Sequence, residues 1–177
     1  KYLNIFGTIV AILFIANEAL IAQESYKVEV EKSTLEWLGE KVTGEHKGNI
    51  SLSSGSFTMK DNIITSGTFV IDMNTITNTD ISNPGTNQRL VKHLKSDDFF
   101  GVEKFPTSKF VITESGSFEN GSAVVRGKLT IKGITHPMEF KATMQKKDNG
   151  LGIHANLIVD RSKYNVKFRS GSFFDNL

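Results

Sequence analysis

Four histidines, His46, His93, His136 and His154, are the side chains of this sequence best suited to chemistry near neutral pH, because imidazole changes charge there without help from its surroundings. No two of them share a close ligand spacing and no cysteine accompanies them, so neither a metal site nor a cofactor follows from the pattern. Serines and acids are plentiful, yet none stands in a glycine-flanked nucleophile motif and no acid–base pair can be argued from spacing, so no catalytic residue is assigned. An isolated imidazole can still donate a hydrogen bond to a phosphate or carbonyl oxygen of a bound head group. His46 sits in Gly44-Glu45-His46-Lys47-Gly48, and His93 opens His93-Leu94-Lys95-Ser96-Asp97-Asp98-Phe99-Phe100. Asp160-Arg161 offers three roles: an ion pair, a turn cap, or a contact from the arginine to a ligand phosphate.

The elements that must position these groups read as strand after strand. Tyr26, Val28 and Val30 alternate with Lys27, Glu29 and Glu31, as a strand with one wet face does. The pattern returns in Phe69, Ile71 and Met73, in Val125, Leu129 and Ile131, and in Met138, Phe140, Ala142 and Met144. Asp61-Asn62, Asn120-Gly121 and Asp148-Asn149-Gly150 supply residues that tolerate positive φ in tight hairpins, so neighbouring runs are expected to pair antiparallel. From about Asp80 to Phe100 the period changes: after Pro84-Gly85, Thr86 to Lys95 places Leu90, Val91 and Leu94 on one side of a helix. Many short antiparallel strands with one helix imply a sandwich or a barrel. A barrel of about eight strands removes the exposed edges and gives the lone helix a place across one mouth.

Of the 177 residues, the first 22 are expected to be a secretory signal peptide: Ile5 to Ala16 is a continuous apolar run behind Lys1, followed by small residues at Ala19 and Ala22. The run is too short to span a bilayer, which takes about 20 apolar residues. Residues 23–177 then suit one domain. Export without cysteine excludes a disulfide scaffold and a lipid-modified cysteine anchor, so a soluble periplasmic or secreted protein is expected. A net charge of +2, from 21 Lys+Arg against 19 Asp+Glu, provides no field for nucleic acid.

Several motifs occur in a fixed order: Trp37-x-x-x-Lys41-Val42-x-Gly44-x-His46-x-Gly48; Gly67 to Met73; His93-Leu94-Lys95-Ser96-x-Asp98-Phe99-Phe100 with Pro106 and Phe110; Gly127-x-Leu129-Thr130-Ile131-x-Gly133-x-Thr135-x-Pro137; and Asp160-Arg161-x-x-Tyr164. This ordered set resembles the YceI-like family over nearly all of the chain beyond the leader. The resemblance implies a lipocalin-like antiparallel β-barrel, exported in bacteria, whose tunnel holds a polyisoprenoid, an isoprenoid quinone, or a fatty acid or amide. Family members usually continue past Phe173-Phe174-Asp175-Asn176-Leu177 into one more strand, so the barrel is expected to be incomplete at that end.

A tunnel needs inward apolar residues that do not fill it and a few polar groups at one end. Trp37, Phe69, Phe99, Phe100, Phe110 and Phe140, with Leu90 and Leu94 on the helix, are the candidate walls, each also compatible with plain core packing. His46, His93 and Arg161 are the candidate polar end, and Gly44 and Gly48 are expected to leave open volume beside His46, or to mark a bulge or bend. The expected activity is non-enzymatic binding, sequestration or transport of a long-chain lipid. The rivals are an enzyme acting on such lipids and an accessory module for a membrane redox protein. Transient contact with a membrane or membrane protein, and a homodimer, are left open.

Overall fold

The structure is a computed structural model and describes residues 23–41, 44–148 and 150–166. The expected leader, the end of the chain around Phe173 to Leu177, and Asn149 of the third expected turn lie outside the described residues. Within them the fold is all-β, as the alternation implies: β1 (Glu24–Lys27), β2 (Leu35–Lys41), β3 (Gly44–Lys60), β4 (Ile63–Asp72), β5 (Thr107–Ser115), β6 (Ser122–Ile131), β7 (Ile134–Lys147) and β8 (Gly150–Ala155), with one helix, α1 (Pro84–Lys95). The strands form one antiparallel sheet ordered β1-β3-β4-β5-β6-β7-β8, with β2 paired to the first part of β3. The sheet curls into a half-barrel. Among the described residues its two ends, β1 and β8, do not pair.

Period-two alternation places the core on the concave side. In β6, Ala123, Val125, Gly127 and Leu129 are buried while Val124, Arg126 and Lys128 face out. The outward Arg126 bonds Glu139 on β7 (2.5 Å) and Glu114 on β5 (3.2 Å), an exposed cross-strand pair of the kind that contributes little. Phe57, Phe110, Ile112, Phe118, Val125, Leu129 and Tyr164 belong to one continuous apolar core. Met73, Ile76, Leu94 and Val102 are buried apart from it.

Local chemistry explains the boundaries. Asp61 and Asn62 take φ of 52° and 61°, closing the β3–β4 hairpin as expected, and Asn120-Gly121 (50° and 73°) does the same before β6. A third such pair, Lys132-Gly133 at 51° and 75°, turns β6 into β7. Met73 and Val30 extend the sequence alternation but not the strands: each sits in a short 3-10 turn, where Asp72 accepts from Asn74 N (2.9 Å) or Ser33 N reaches Val30 O (3.0 Å). A register shift between Leu52 and Ser54 rephases β3. Before it His46, Gly48, Ile50 and Leu52 face inward, and after it Gly55, Phe57 and Met59 do.

The helix starts two residues earlier than its apolar stripe suggests because Asn83 caps it, its side-chain oxygen accepting from Thr86 N at 3.0 Å, with Pro84 in the first turn. It stops at Ser96, whose amide and hydroxyl both turn back to His93 O (3.1 and 2.7 Å). Gly101, at φ 58°, then lets Val102 N reach Lys95 O (2.9 Å).

One consequence of the alternation can be measured on adjacent residues. Val125 is 2% exposed and Val124 38%, so Val125→Ala should lower the unfolding free energy by about 2 kcal/mol while Val124→Ala changes it by under about 0.5 kcal/mol. Urea titration of both variants checks this, and equal losses would contradict the assigned faces.

Candidate functional site

The expected site residues separate into three groups. The first lies on the curved sheet. Phe69 on β4 stands opposite Phe110 on β5, and Val125 on β6 opposite Phe140 on β7. The rings of Phe110 and Phe140 meet at 5.3 Å between centroids. Phe110 is buried, whereas Phe69 and Phe140 are partly buried and rest on the core. Glycines make this approach possible: a Cβ on Gly127 would come within 2.5 Å of the Phe110 ring, and one on Gly55 within 3.0 Å of Phe69. The same is true of Gly48, contrary to the open volume expected beside His46. A Cβ there would lie 1.9 Å from the Thr77 carbonyl oxygen and 2.8 Å from the Trp37 indole nitrogen. Gly44 has nothing within 4 Å of its Cβ position, but its φ is 142°.

The second group forms at the exit of the helix. Phe99 meets the His93 ring edge-on at 5.6 Å and the Phe100 ring at 5.2 Å. The Arg161 guanidinium lies 5.0 Å from the centre of the Phe99 ring and donates to Val166 O at 2.7 Å. Burial pushes the Arg161 pKa down from its ordinary value, against the opposing pull of Asp160. Of the roles open to Asp160 the geometry fits the cap: its carboxylate accepts from Ser162 N (3.0 Å) and from the Ser162 hydroxyl (2.6 Å), which together hold its pKa below the usual range. Tyr164, buried, packs edge-on against His136 at 5.1 Å, and His136 Nε2 binds the Lys163 carbonyl at 3.0 Å. Leu94 is buried and Leu90 half-buried on α1.

The third group is a strap, residues 75–80, laid along β3. Thr77 N donates to Asn49 O and Thr79 N to Lys47 O, both at 2.9 Å. From β2, on the other side of β3, Trp37 reaches over Gly48 and donates its indole N–H to Thr77 O at 2.9 Å. Asp80 ends the strap, taking Lys47 N at 2.9 Å on one oxygen and His46 Nδ1 at 2.8 Å on the other. The Lys47 amide above all, then His46, hold the Asp80 carboxyl far below the usual carboxylate range. Asn78, buried, donates to Lys47 O (3.0 Å), and Asn87 of α1 donates to Asn78 O and Ile81 O at 3.0 Å each. His46 and Trp37 are thus tied to the strap, and their partners differ from those of His93, Phe99 and Arg161.

Sequence reasoning did not single out Thr77, Asn78, Asp80 or Lys132. The Lys132 ammonium, in the β6–β7 turn, binds Asp97 O (2.6 Å) and Phe99 O (2.9 Å), and Lys95 binds Asn74 O (2.7 Å), so two cations fasten the helix exit. The Asn-x-Asp spacing at 78–80 was the one available hint, since such residues favour local side-chain-to-backbone bonds. Two depressions stand out among the described residues, of about 460 Å³ and about 360 Å³. The first is lined by Ile81, Pro84, Asn87 and Val91, the second by Arg126, Lys128, Pro137 and Glu139. Neither is the tunnel expected beneath the helix. The apolar surface that remains is the open concave face itself.

Comparison with known proteins places this geometry. A family profile described as the YceI-like domain matches residues 26–176. A UPF0312 protein of Shewanella denitrificans is 39% identical over 72 residues, covering 41% of this chain and 36% of the relative. One from Pseudomonas fluorescens is 38% identical over 82 residues, covering 43% of each. The matched stretches therefore span less than half the length of these curated relatives. Among solved structures, a mutant CJ YCEI protein with a monobromobimane guest aligns with a TM-score of 0.50 at 18% identity, over 90% of this chain and 77% of that one. Burkholderia cenocepacia BcnA aligns with a TM-score of 0.50 at 18% identity, over 76% and 70%. At such identity the likeness is one of fold.

Two outcomes follow for the strap. Gly48→Ala should destabilise the protein by about 2 kcal/mol or more, because backbone rather than a flexible side chain occupies the added volume. Trp37 is the single tryptophan, so its emission should shift to the red as the indole loses Thr77; unchanged emission would contradict the contact. The Asp80 contribution has a definite sign in pH. A carboxyl whose folded pKa is depressed stabilises above its unfolded value of about 4 and ceases to as pH falls through the folded value. Asp80→Asn should therefore be less stable than wild type at neutral pH, with the gap narrowing below about pH 4. A gap independent of pH in thermal unfolding would show that the charge is not what matters.

Proposed function

Because this chain belongs to the YceI-like family, matched across residues 26–176, we propose that it is a non-enzymatic binder of a long-chain amphiphile: a polyisoprenoid, an isoprenoid quinone, or a fatty acid or amide. The acyl or prenyl chain lies along the concave face of the half-barrel. The observation that carries this reading is the set of partly buried apolar side chains on that face. Phe69, Phe99, Phe100, Met138, Phe140 and Met144 all pack against the buried core and are only partly buried there, while Arg126 and Lys128 of β6 face the other way. A soluble fold leaves contiguous apolar surface where something is meant to cover it.

The driving force is transfer of methylene groups out of water, about 0.8 kcal/mol for each one fully buried. A chain lying on an open face is covered on one side and realises part of that, so the helix exit matters: Phe99 and Phe100 extend the same surface over the groove. Specificity then falls to groove length and to the polar end, where Arg161 and His93 stand beside Phe99. The His46–Asp80 pair has the components of an acid–base couple. Its carboxylate is committed to the Lys47 amide and to the strap, which favours a structural role over the enzyme alternative. Action in a periplasm or outside the cell rests on the leader-like character of residues 1–22.

Titration with a fluorescent fatty-acyl probe tests the proposal. Phe140→Glu, which places a charge on the concave face, should weaken binding about tenfold or more, whereas His46→Gln should leave affinity within about twofold. Loss of binding in His46→Gln with none in Phe140→Glu, or no saturable binding by the wild type, would remove the concave-face reading.

A further inference from the structure

Between β8 and the turn at Arg161–Tyr164, Leu157, Ile158 and Val159 are 42%, 96% and 37% exposed. Isolated exposed aliphatics are ordinary, but three in succession with one almost fully in water are not. The register with β7 ends at Ala142↔Ala155, so the segment beyond it leaves the sheet. It returns at Lys163, whose carbonyl takes His136 Nε2 from the other part of β7. The run is therefore bracketed by Lys141 at one end and Lys163 at the other. Both are exposed, and neither has an ion-pair partner among the described residues. Of the acids nearby, Glu139 is held by Arg126, while Asp160 keeps its charge with its carboxylate turned onto Ser162 and stabilised in part by Lys163. Immediately after the run, Arg161 turns inward over Phe99, so the segment stands on the rim of the concave face.

The geometry points to Leu157–Val159 as a membrane-docking wedge that enters the interface of a bilayer bearing anionic head groups, with Lys141 and Lys163 set against lipid phosphates. The inference rests on the lipid-binding reading above, since an insoluble cargo must be taken from and returned to a bilayer, and it names where that exchange occurs. Charge decides for a bilayer over a second copy of the chain. A two-fold contact between identical rims would set the basic rim of one copy against the same basic rim of the other, whereas an anionic surface complements both lysines. Aliphatic side chains without hydrogen-bonding groups suit a hydrocarbon boundary, and basic residues beside such a run add attraction to anionic lipid.

The absence of cysteine permits a local readout on the full chain. Ile158→Cys labelled with an environment-sensitive nitrobenzoxadiazole dye reports the wedge, and Ser56→Cys, exposed on β3 four strands away from β7, serves as control. With vesicles of phosphatidylcholine and phosphatidylglycerol, the dye at 158 should shift to the blue while that at 56 does not. Lys141→Glu combined with Lys163→Glu should weaken the response about tenfold, and vesicles of phosphatidylcholine alone should give a weaker one. An equal shift at both positions, no shift at 158, or a shift at 158 that grows with protein concentration in the absence of vesicles would overturn the wedge, the last by identifying a second copy as the occupant. Binding of the soluble acyl probe, measured in parallel without vesicles, stands or falls separately and tells failure of the wedge from failure of the lipid-binding reading.

Discussion

The position of the helix depends on one contact that leaves no room for a side chain. The Thr77 carbonyl approaches Gly48 so closely that a methyl group there would overlap it, and that approach lets the strap pair with β3 while Trp37 reaches across from β2 to bind the same carbonyl. Three successive backbone segments, β2, β3 and the strap, are thereby joined around a residue with no bulk. From the strap, Asn78 and Asp80 fix the chain that leads into α1, and Asn87 returns a bond from the helix. Without that contact the chain leading into the helix would lose its hold on β3.

The far end of the helix is fastened by a different interaction. Carbonyl groups at a helix C-terminus carry partial negative charge and lack partners within the helix. Lys132 places its ammonium on two of the carbonyls just past that end, Asp97 and Phe99, and Lys95 reaches Asn74. The entry is thus held by neutral amide and carboxylate bonds, and the exit by cations. Between them the aromatic pair Phe99 and Phe100 is brought against the core of the half-barrel, with Arg161 over the Phe99 ring.

The glycines of the curved face do not hold a space open. Gly55 and Gly127 are where aromatic rings settle onto the sheet, and Gly48 is where backbone does. The partial exposure of the inner face comes from elsewhere: among the described residues the two ends of the curled sheet do not pair, so Phe69, Met138 and Phe140 stay partly buried above a packed floor.

Much of this was legible in the residues taken one at a time. Period-two alternation in β6 and β7 assigned the faces, because side chains on a strand point to opposite sides whatever the fold. Asp61-Asn62 and Asn120-Gly121 marked turns, because positive φ is a local property of the chain. The change of period near Pro84 located the helix. The ordered motifs pointed to the family and hence to an antiparallel sheet with one helix. What the sequence could not contain was distance between segments far apart in number. That Trp37 and His46 bind a strap some 30 to 40 residues later, that Gly48 is filled by Thr77, and that β8 ends early and exposes Ile158 are outcomes of how the sheet curls. Local preference constrains each residue's own torsions and face, but only the closed set of tertiary contacts determines which distant backbone occupies the volume a glycine leaves free.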